Sequence, residues 1–237
     1  MYAVHIEPSK LKYTLSTSQC YAAFMSTSKR SRRAAGRGHP YHHGALKQAA
    51  LAQAHRILEK KGADAVTVRA IARGVGVTPN ALYRHFQDKN ALLATLAEEG
   101  FRELNKSFQR IAEGDARKRF REMAHCYVQF GSAKPAVLRL MFGQEIAKLP
   151  KRSGLREAAG EAFTALLQAA AAAAGLPPDS EDSLHLAIAC WSLVQGYTTL
   201  LTRGALDFVR PAHRPRIGSL VRFIELDPRR WSSKSLV

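Results

Sequence analysis

A chain of 237 residues has room for one large domain or two small ones, and at 46% hydrophobic and 23% charged its composition is that of an ordinary globular protein. No apolar run comes near the roughly 18 residues of a membrane span; Ala169–Ala174, all alanine, is far too short, so no membrane partner and a cytoplasmic location are expected. The formal net charge of +17 points instead to a polyanion, nucleic acid or an anionic membrane surface.

The basic excess is concentrated at the ends, with seven basic residues against one acid in residues 1–40 and eight against three in residues 203–237. Residues 1–40 lack a hydrophobic period. From Ser26 they become a Ser/Lys/Arg/Gly tract containing Arg30, Arg32, Arg33 and Arg37. Such a segment buries too little apolar surface to offset its ordering entropy, which predicts a flexible basic arm, either solvated or tracking a minor groove. Residues 1–28 have no continuous apolar core of the signal-peptide kind. Met25 opens the basic tract, so the first 24 residues read as an upstream extension of the frame. Cys20, Cys126 and Cys190 are odd in number and widely spaced, which suits neither a disulfide framework nor a zinc site. Cys126 and Cys190 are expected as buried apolar fillers, with redox sensing as the alternative. His39, His42 and His43 lie on a flexible approach that lacks the fixed geometry of a metal site. No metal and no cofactor are expected.

From Gly44 the period becomes helical. Leu46, Ala50, Ala54, Ile57 and Leu58 form one stripe, ending at Lys60-Lys61-Gly62. Basic residues suit a helix C-terminus and glycine the position beyond it. A short helix follows, with Thr67 as N-cap, Ala70 and Ile71 facing inward, and Gly74-Val75-Gly76 closing it. Thr78 is placed to cap a third helix that has Pro79 at its first position and Leu82 and Phe86 on its apolar side. Asp88 caps a long fourth helix whose inner row is Leu92, Leu96, Leu104, Phe108 and Ile111. Helices are also predicted around Phe120–Phe130, over Val137–Phe142, from Leu155 to Ala174, from Ser183 to Thr202 and from Ile217 to Leu226. No strand pattern and no internal repeat is seen.

Two short helices joined by a glycine-containing turn and braced by a preceding helix are the parts of a helix-turn-helix. The side opposite Leu82 and Phe86 offers Asn80, Ala81 and Arg84 to a major groove. Asn pairs bidentately with adenine, Arg does so with guanine, and an Ala methyl touches thymine. The runs Tyr-His-His-Gly-Ala-Leu from Tyr41, Thr-Val-Arg-Ala-Ile-Ala from Thr67, Ala-Leu-Tyr-Arg-His-Phe from Ala81 and Asp-Lys-Asn-Ala-Leu-Leu from Asp88 closely resemble the TetR family of bacterial regulators. That resemblance covers residues 41–112 strongly. It implies that Thr67 and Arg69 start the second helix at the DNA, with Thr67 on a phosphate. Asn80, Ala81 and Arg84 would approach base edges, and Tyr83, His85 and Lys89 would grip phosphates. Thr78 and Pro79, at the start of the reading helix, complete this DNA-facing set. Beyond residue 112, Leu138-Arg-Leu-Met-Phe-Gly143 and Trp191-Ser-Leu-Val-Gln-Gly196 are similar to a TetR ligand-domain subgroup marked by Trp, His and Gly on one helix. Gln195 stands where that His is expected, which implies different ligand chemistry at this position.

The expected architecture is all-α. A flexible arm (1–40) precedes a three-helix DNA-binding domain (41–88), and a linking fourth helix (89–113) leads to a helical ligand-binding and dimerisation domain (114–237). His125, Gln129, Trp191 and Gln195, polar groups on otherwise apolar helices, are the candidate pocket residues. The helix from Ser183 to Thr202 is the candidate dimer seam, through Leu186, Ala187, Cys190, Leu193, Val194, Tyr197, Leu200 and Leu201, with residues 217–226 completing it. No nucleophile elbow, Walker loop, dinucleotide fingerprint or HExxH motif is found, so no catalytic residue is assigned. The resemblance implies a homodimer on an operator of double-stranded DNA, a repressor released by a small apolar or aromatic effector. A DNA-binding protein of the same fold, architectural or controlled by a protein partner without an effector, is the alternative.

Overall fold

The computed structural model describes residues 43–112, 114–147 and 153–225. The expected arm, Cys20, Met25, His39, His42 and the chain beyond Glu225 lie outside the described residues.

The first helix, α1 (His43–Lys61), has Lys60 and Lys61 in its last turn, and Gly62 leaves it at φ 80°. A 3-10 turn (Ala63–Ala65) leads to α2 (Val68–Val75). The Thr67 hydroxyl oxygen accepts the Ala70 N–H at 3.1 Å, so the predicted cap is present. Gly76, at φ 78°, turns the chain in the left-handed region, where glycine carries no Cβ penalty. Val68, Ile71 and Ala72 are the buried side of α2; Ala70, expected inside, is half-buried one step around the helix. In α3 (Pro79–Tyr83), Thr78 occupies the N-cap position, but its side chain makes no capping bond. Pro79 at the first helical position lacks an N–H that would have no partner within the helix.

These three helices are followed by the long α4 (Lys89–Gln109), capped by Asp88, whose carboxylate accepts the Ala91 N–H at 2.6 Å. Its inner row Leu92, Leu96, Leu104 and Phe108 is buried, and Ile111 is buried just beyond its end. Then follow α5 (Ala116–Ala133), α6 (Pro135–Met141), α7 (Gln144–Ala147), α8 (Ser153–Ala174), α9 (Glu181–Thr202), a 3-10 turn (Pro211–His213) and α10 (Ile217–Glu225). Among the described residues there is no strand.

Side-chain size sets how these helices meet. On α8 the buried positions include Ala158, Ala162, Ala169, Ala170 and Ala173, small enough for α4 and α5 to lie close against it. Gly100 in α4 admits α6: a Cβ there would fall 2.7 Å from Met141 Sδ and 2.8 Å from Val137 Cγ1. Gly131 in α5 likewise admits α9, since a Cβ would stand 2.4 Å from Thr198 Cγ2. The resulting hydrophobic core runs unbroken from Ala50 in α1 through α4 to Val221 in α10.

Candidate nucleic-acid interface and ligand cavity

Leu58, Val66, Ile71, Leu82 and Phe86 hold α1, α2 and α3 together as a buried knot. Gly74 is part of that fit, because a Cβ there would lie 2.2 Å from Gln53 Nε2 on α1. The knot turns Thr67, Arg69 and Arg73 outward from α2, and Asn80, Tyr83 and Arg84 outward at α3. Asn80, Tyr83 and Arg84 are spaced i, i+3 and i+4 and therefore share one face. Tyr83 leaves 48% of its surface exposed. Pro79, Ala81 and His85 are half-buried beside them, and Thr78 is exposed. The Thr67 hydroxyl oxygen accepts from its own helix, a bond that leaves the hydroxyl proton available to donate. Lys89 has local work as well: its ammonium donates to the Asp64 carbonyl at 3.2 Å and lies 3.9 Å from the Asp64 carboxylate, bracing the 3-10 turn.

A second feature lies among α4, α5, α8 and α9. A cavity of about 120 Å³ is walled by Phe101 and Phe108, Phe120 and Tyr127, Phe163 and Trp191, with Cys190 and Val221 at its edges. Its aromatic groups are in contact. Phe101 meets Phe142 edge-on at 5.3 Å between ring centroids, and Trp191 lies 5.4 Å from Phe142 and 6.1 Å from Phe163. Burial pushes the Tyr127 phenol above its ordinary range, while a hydrogen bond with Trp191 pulls the other way. The phenol therefore stays protonated, and it donates to the Gln195 side-chain oxygen.

Trp191 lines this cavity and Gln195 reaches its edge through Tyr127. The other two candidates do not line it. His125 faces α10, where Gly218 makes room for its ring: a Cβ there would stand 3.0 Å from His125 Nε2. Gln129 is exposed. Tyr127, a polar group on the cavity wall that was not among the candidates, lies on the buried, mainly apolar side of α5. Cys126 and Cys190 are both buried, and among the described residues no cluster of His, Cys, Asp and Glu is arranged to hold a metal ion.

Phe142 also lines a second, wider cleft of about 370 Å³ whose walls are polar and apolar in equal measure. Its walls are the end of α1 with Gly62 and Ala63, the helix α6 with Arg139, and the C-terminal part of α9 with Gln195, Thr199, Thr202 and Arg203.

Two contacts tie α1 to the helices around the cavity, and a third joins α4 to the α5–α6 junction. The Glu59 carboxylate on α1 accepts the Ala136 and Val137 N–H groups at 3.4 and 3.3 Å, capping α6 from outside it. His55 and Glu99 meet at 3.0 Å between α1 and α4. Lys134, at the junction of α5 and α6, contacts both oxygens of Glu103 on α4 at 2.6 Å.

Residues 50–96 match the family profile described as bacterial regulatory proteins, tetR family, and residues 120–221 match the tetracyclin repressor-like C-terminal domain. Nucleoid occlusion factor SlmA of Vibrio vulnificus (strain YJ016) is 32% identical over 97 residues, 40% of this chain and 50% of that protein, so the match spans only half the length of that relative. A solved structure of a protein with unknown function from Rhodococcus sp. RHA1 shares 34% identity, with a TM-score of 0.65, over 79% of this chain and 95% of its own. A TetR variant from Acinetobacter baumannii AYE in complex with minocycline has the same fold at 22% identity, with a TM-score of 0.56, over 82% of this chain and 99% of its own.

Proposed function

The chain belongs to the TetR family of bacterial regulatory proteins, and on that premise we propose that it is a DNA-binding transcription regulator acting in the cytoplasm as a homodimeric repressor. It would leave a palindromic operator when a small apolar or aromatic effector binds. The observation that carries this is one continuous core joining an outward Asn80–Tyr83–Arg84 face to an aromatic cavity. Asn80, Ala81 and Arg84 are the base-reading residues in this account. Thr67, Arg69, Thr78, Pro79, Tyr83, His85 and Lys89 surround them toward the phosphates. Residues 41–88 act as the reading domain, α4 as the link and residues 114–237 as the regulatory and dimerising part.

The cavity favours effector control over the architectural alternative. An apolar void forfeits dispersion contacts on every wall, and a void of comparable size lined by Leu, Ile and Phe takes up benzene. The effector's apolar part would stack on Trp191 and Phe142, beneath Tyr127.

Dimerisation is assigned to α9, on a face different from much of the expected one. Leu186, Ala187, Cys190 and Val194 point into the protomer's own core and are buried there. The opposite side carries Leu184, Ile188 and Leu200 at 40%, 44% and 46% exposure, with Ser192 and Gly196 between them at helical spacing. This two-sided apolarity also makes α9 the one described helix long and apolar enough to cross a membrane, at a mean hydropathy of 1.2. We assign the outer row to a second copy, because reading two half-sites requires one.

Footprinting with the full chain is the test. An inverted repeat is expected, with half-site centres about 34–36 Å apart, and indole or another single-ring probe that stabilises the protein thermally should weaken the footprint. Protection of a single unrepeated site would overturn the dimer. Thermal stabilisation by no small molecule would favour the effector-independent alternative.

A further inference from the structure

Two chambers lie back to back in this molecule. The aromatic cavity and the wider, mixed cleft share Phe142 as a wall. The Tyr127 hydroxyl, on a residue that lines the cavity, donates to the side-chain oxygen of Gln195, a residue that lines the cleft. The cavity's volume of about 120 Å³ is close to the roughly 150 Å³ that accommodates benzene. Its own walls therefore admit one ring and little more. A larger effector can extend past the Tyr127–Gln195 bond, because Tyr127 lines the cavity and Gln195 lines the cleft.

The cleft is suited to one kind of chemical group. Arg139 from α6 and Arg203 at the end of α9 both line it, and among the described residues no acidic side chain does. Gln195, Thr199 and Thr202 follow at i, i+4 and i+7 along one side of α9 and add neutral hydrogen-bonding groups. A planar guanidinium binds carboxylate through two parallel N–H donors and is more weakly hydrated than an ammonium, so a pair of them favours an organic anion over an uncharged head.

We propose that the effector is an amphipathic organic acid, with its ring in the aromatic cavity and its carboxylate in the cleft on Arg139 and Arg203. This assignment rests on the effector role given to the aromatic cavity above. Such a molecule parts Tyr127 from Gln195, and both then have a hydrogen-bonding atom to turn toward it. Its head also meets the DNA-reading half of the chain directly, because Leu58, Gly62 and Ala63 form the opposite wall of the cleft. Filling the cleft bears on the end of α1, beside the Glu59 carboxylate that caps α6.

The test uses the full chain and calorimetric titration with three sets of probes. These are ethylbenzene as a bare ring, ω-phenylalkanoic acids from phenylacetic to 6-phenylhexanoic acid, and the primary amide of each acid. The bare ring should bind, and from one chain length onward each acid should bind at least tenfold more tightly than its amide. Arg139→Gln and Arg203→Gln should each cut that acid-to-amide ratio at least fivefold, and Arg139→Lys, which keeps the charge, should cut it less. Arg156→Gln, on the exposed side of α8, controls for loss of charge alone. If the ring binds but acids and amides do not differ, or the glutamine variants keep the preference, the carboxylate site is wrong and the aromatic effector stands. If no probe binds, the aromatic effector falls and the carboxylate site falls with it.

Discussion

Arg84 and Lys89 differ in what they can tell a DNA sequence. Arg84 is exposed beside Asn80 and Tyr83 on the outer face of α3, so Arg84→Ala is expected to cost about 1–3 kcal/mol of operator affinity and to relax base preference at one position per half-site. Lys89→Ala should weaken all sequences alike, because an ammonium on a phosphate reads no base. Binding-site selection with each variant checks this, and unaltered base preference in Arg84→Ala would mean that α3 enters the groove by another face. Residues with a local role were the most legible in the sequence. Thr67 and Asp88 sit three residues before the N–H groups they accept, a relation that spacing alone reveals. Residues defined by their tertiary surroundings were less legible. His125, Gln129, Trp191 and Gln195 all looked alike as polar groups on apolar helices, yet they end against Gly218, in solvent, in the cavity and on Tyr127. Helical spacing gives the angle between two side chains but not what a third helix places opposite them.

Among the helices, α6 holds the pivotal position. It touches α4 through Gly100, it receives its N-terminal cap from Glu59 on α1, and Phe142 at its end walls both chambers. A carboxylate there also faces the positive end of the helix dipole. Glu59→Ala should therefore lower stability by about 0.5–2 kcal/mol, the ordinary worth of a lost cap. Beyond that, it should reduce the shift in operator affinity that a bound effector produces. A variant that lost the stability but kept the full shift would show Glu59 to be a structural cap only. The long helices were plain in the sequence because each repeats its apolar stripe over several turns. The four residues of α7 and the two 3-10 turns were not, since three or four residues complete no period.

At the scale of the whole molecule, the proposed reading of two half-sites requires a second copy. Leu200→Glu places a charge in the exposed row of α9 and should give a monomer in sedimentation, with operator binding lost while helicity and the Asn80–Arg84 face persist. A dimeric Leu200→Glu protein would move the seam elsewhere. Tyr197 is a poorer probe of the same seam, because its hydroxyl already donates to the Pro215 carbonyl within the protomer at 2.8 Å. The core that runs unbroken from α1 to α10 also bears on how such a protein can be recombined. Leu82 and Phe86 share that core with Leu92 and Leu96, so a cut at residue 88 would strip apolar surface from both halves. A chimera that borrows this chain's reading head should carry all of α4 across the junction. If the host half lacks a helix start for Glu59 to hold, the graft would grip its operator yet be deaf to the host's inducer.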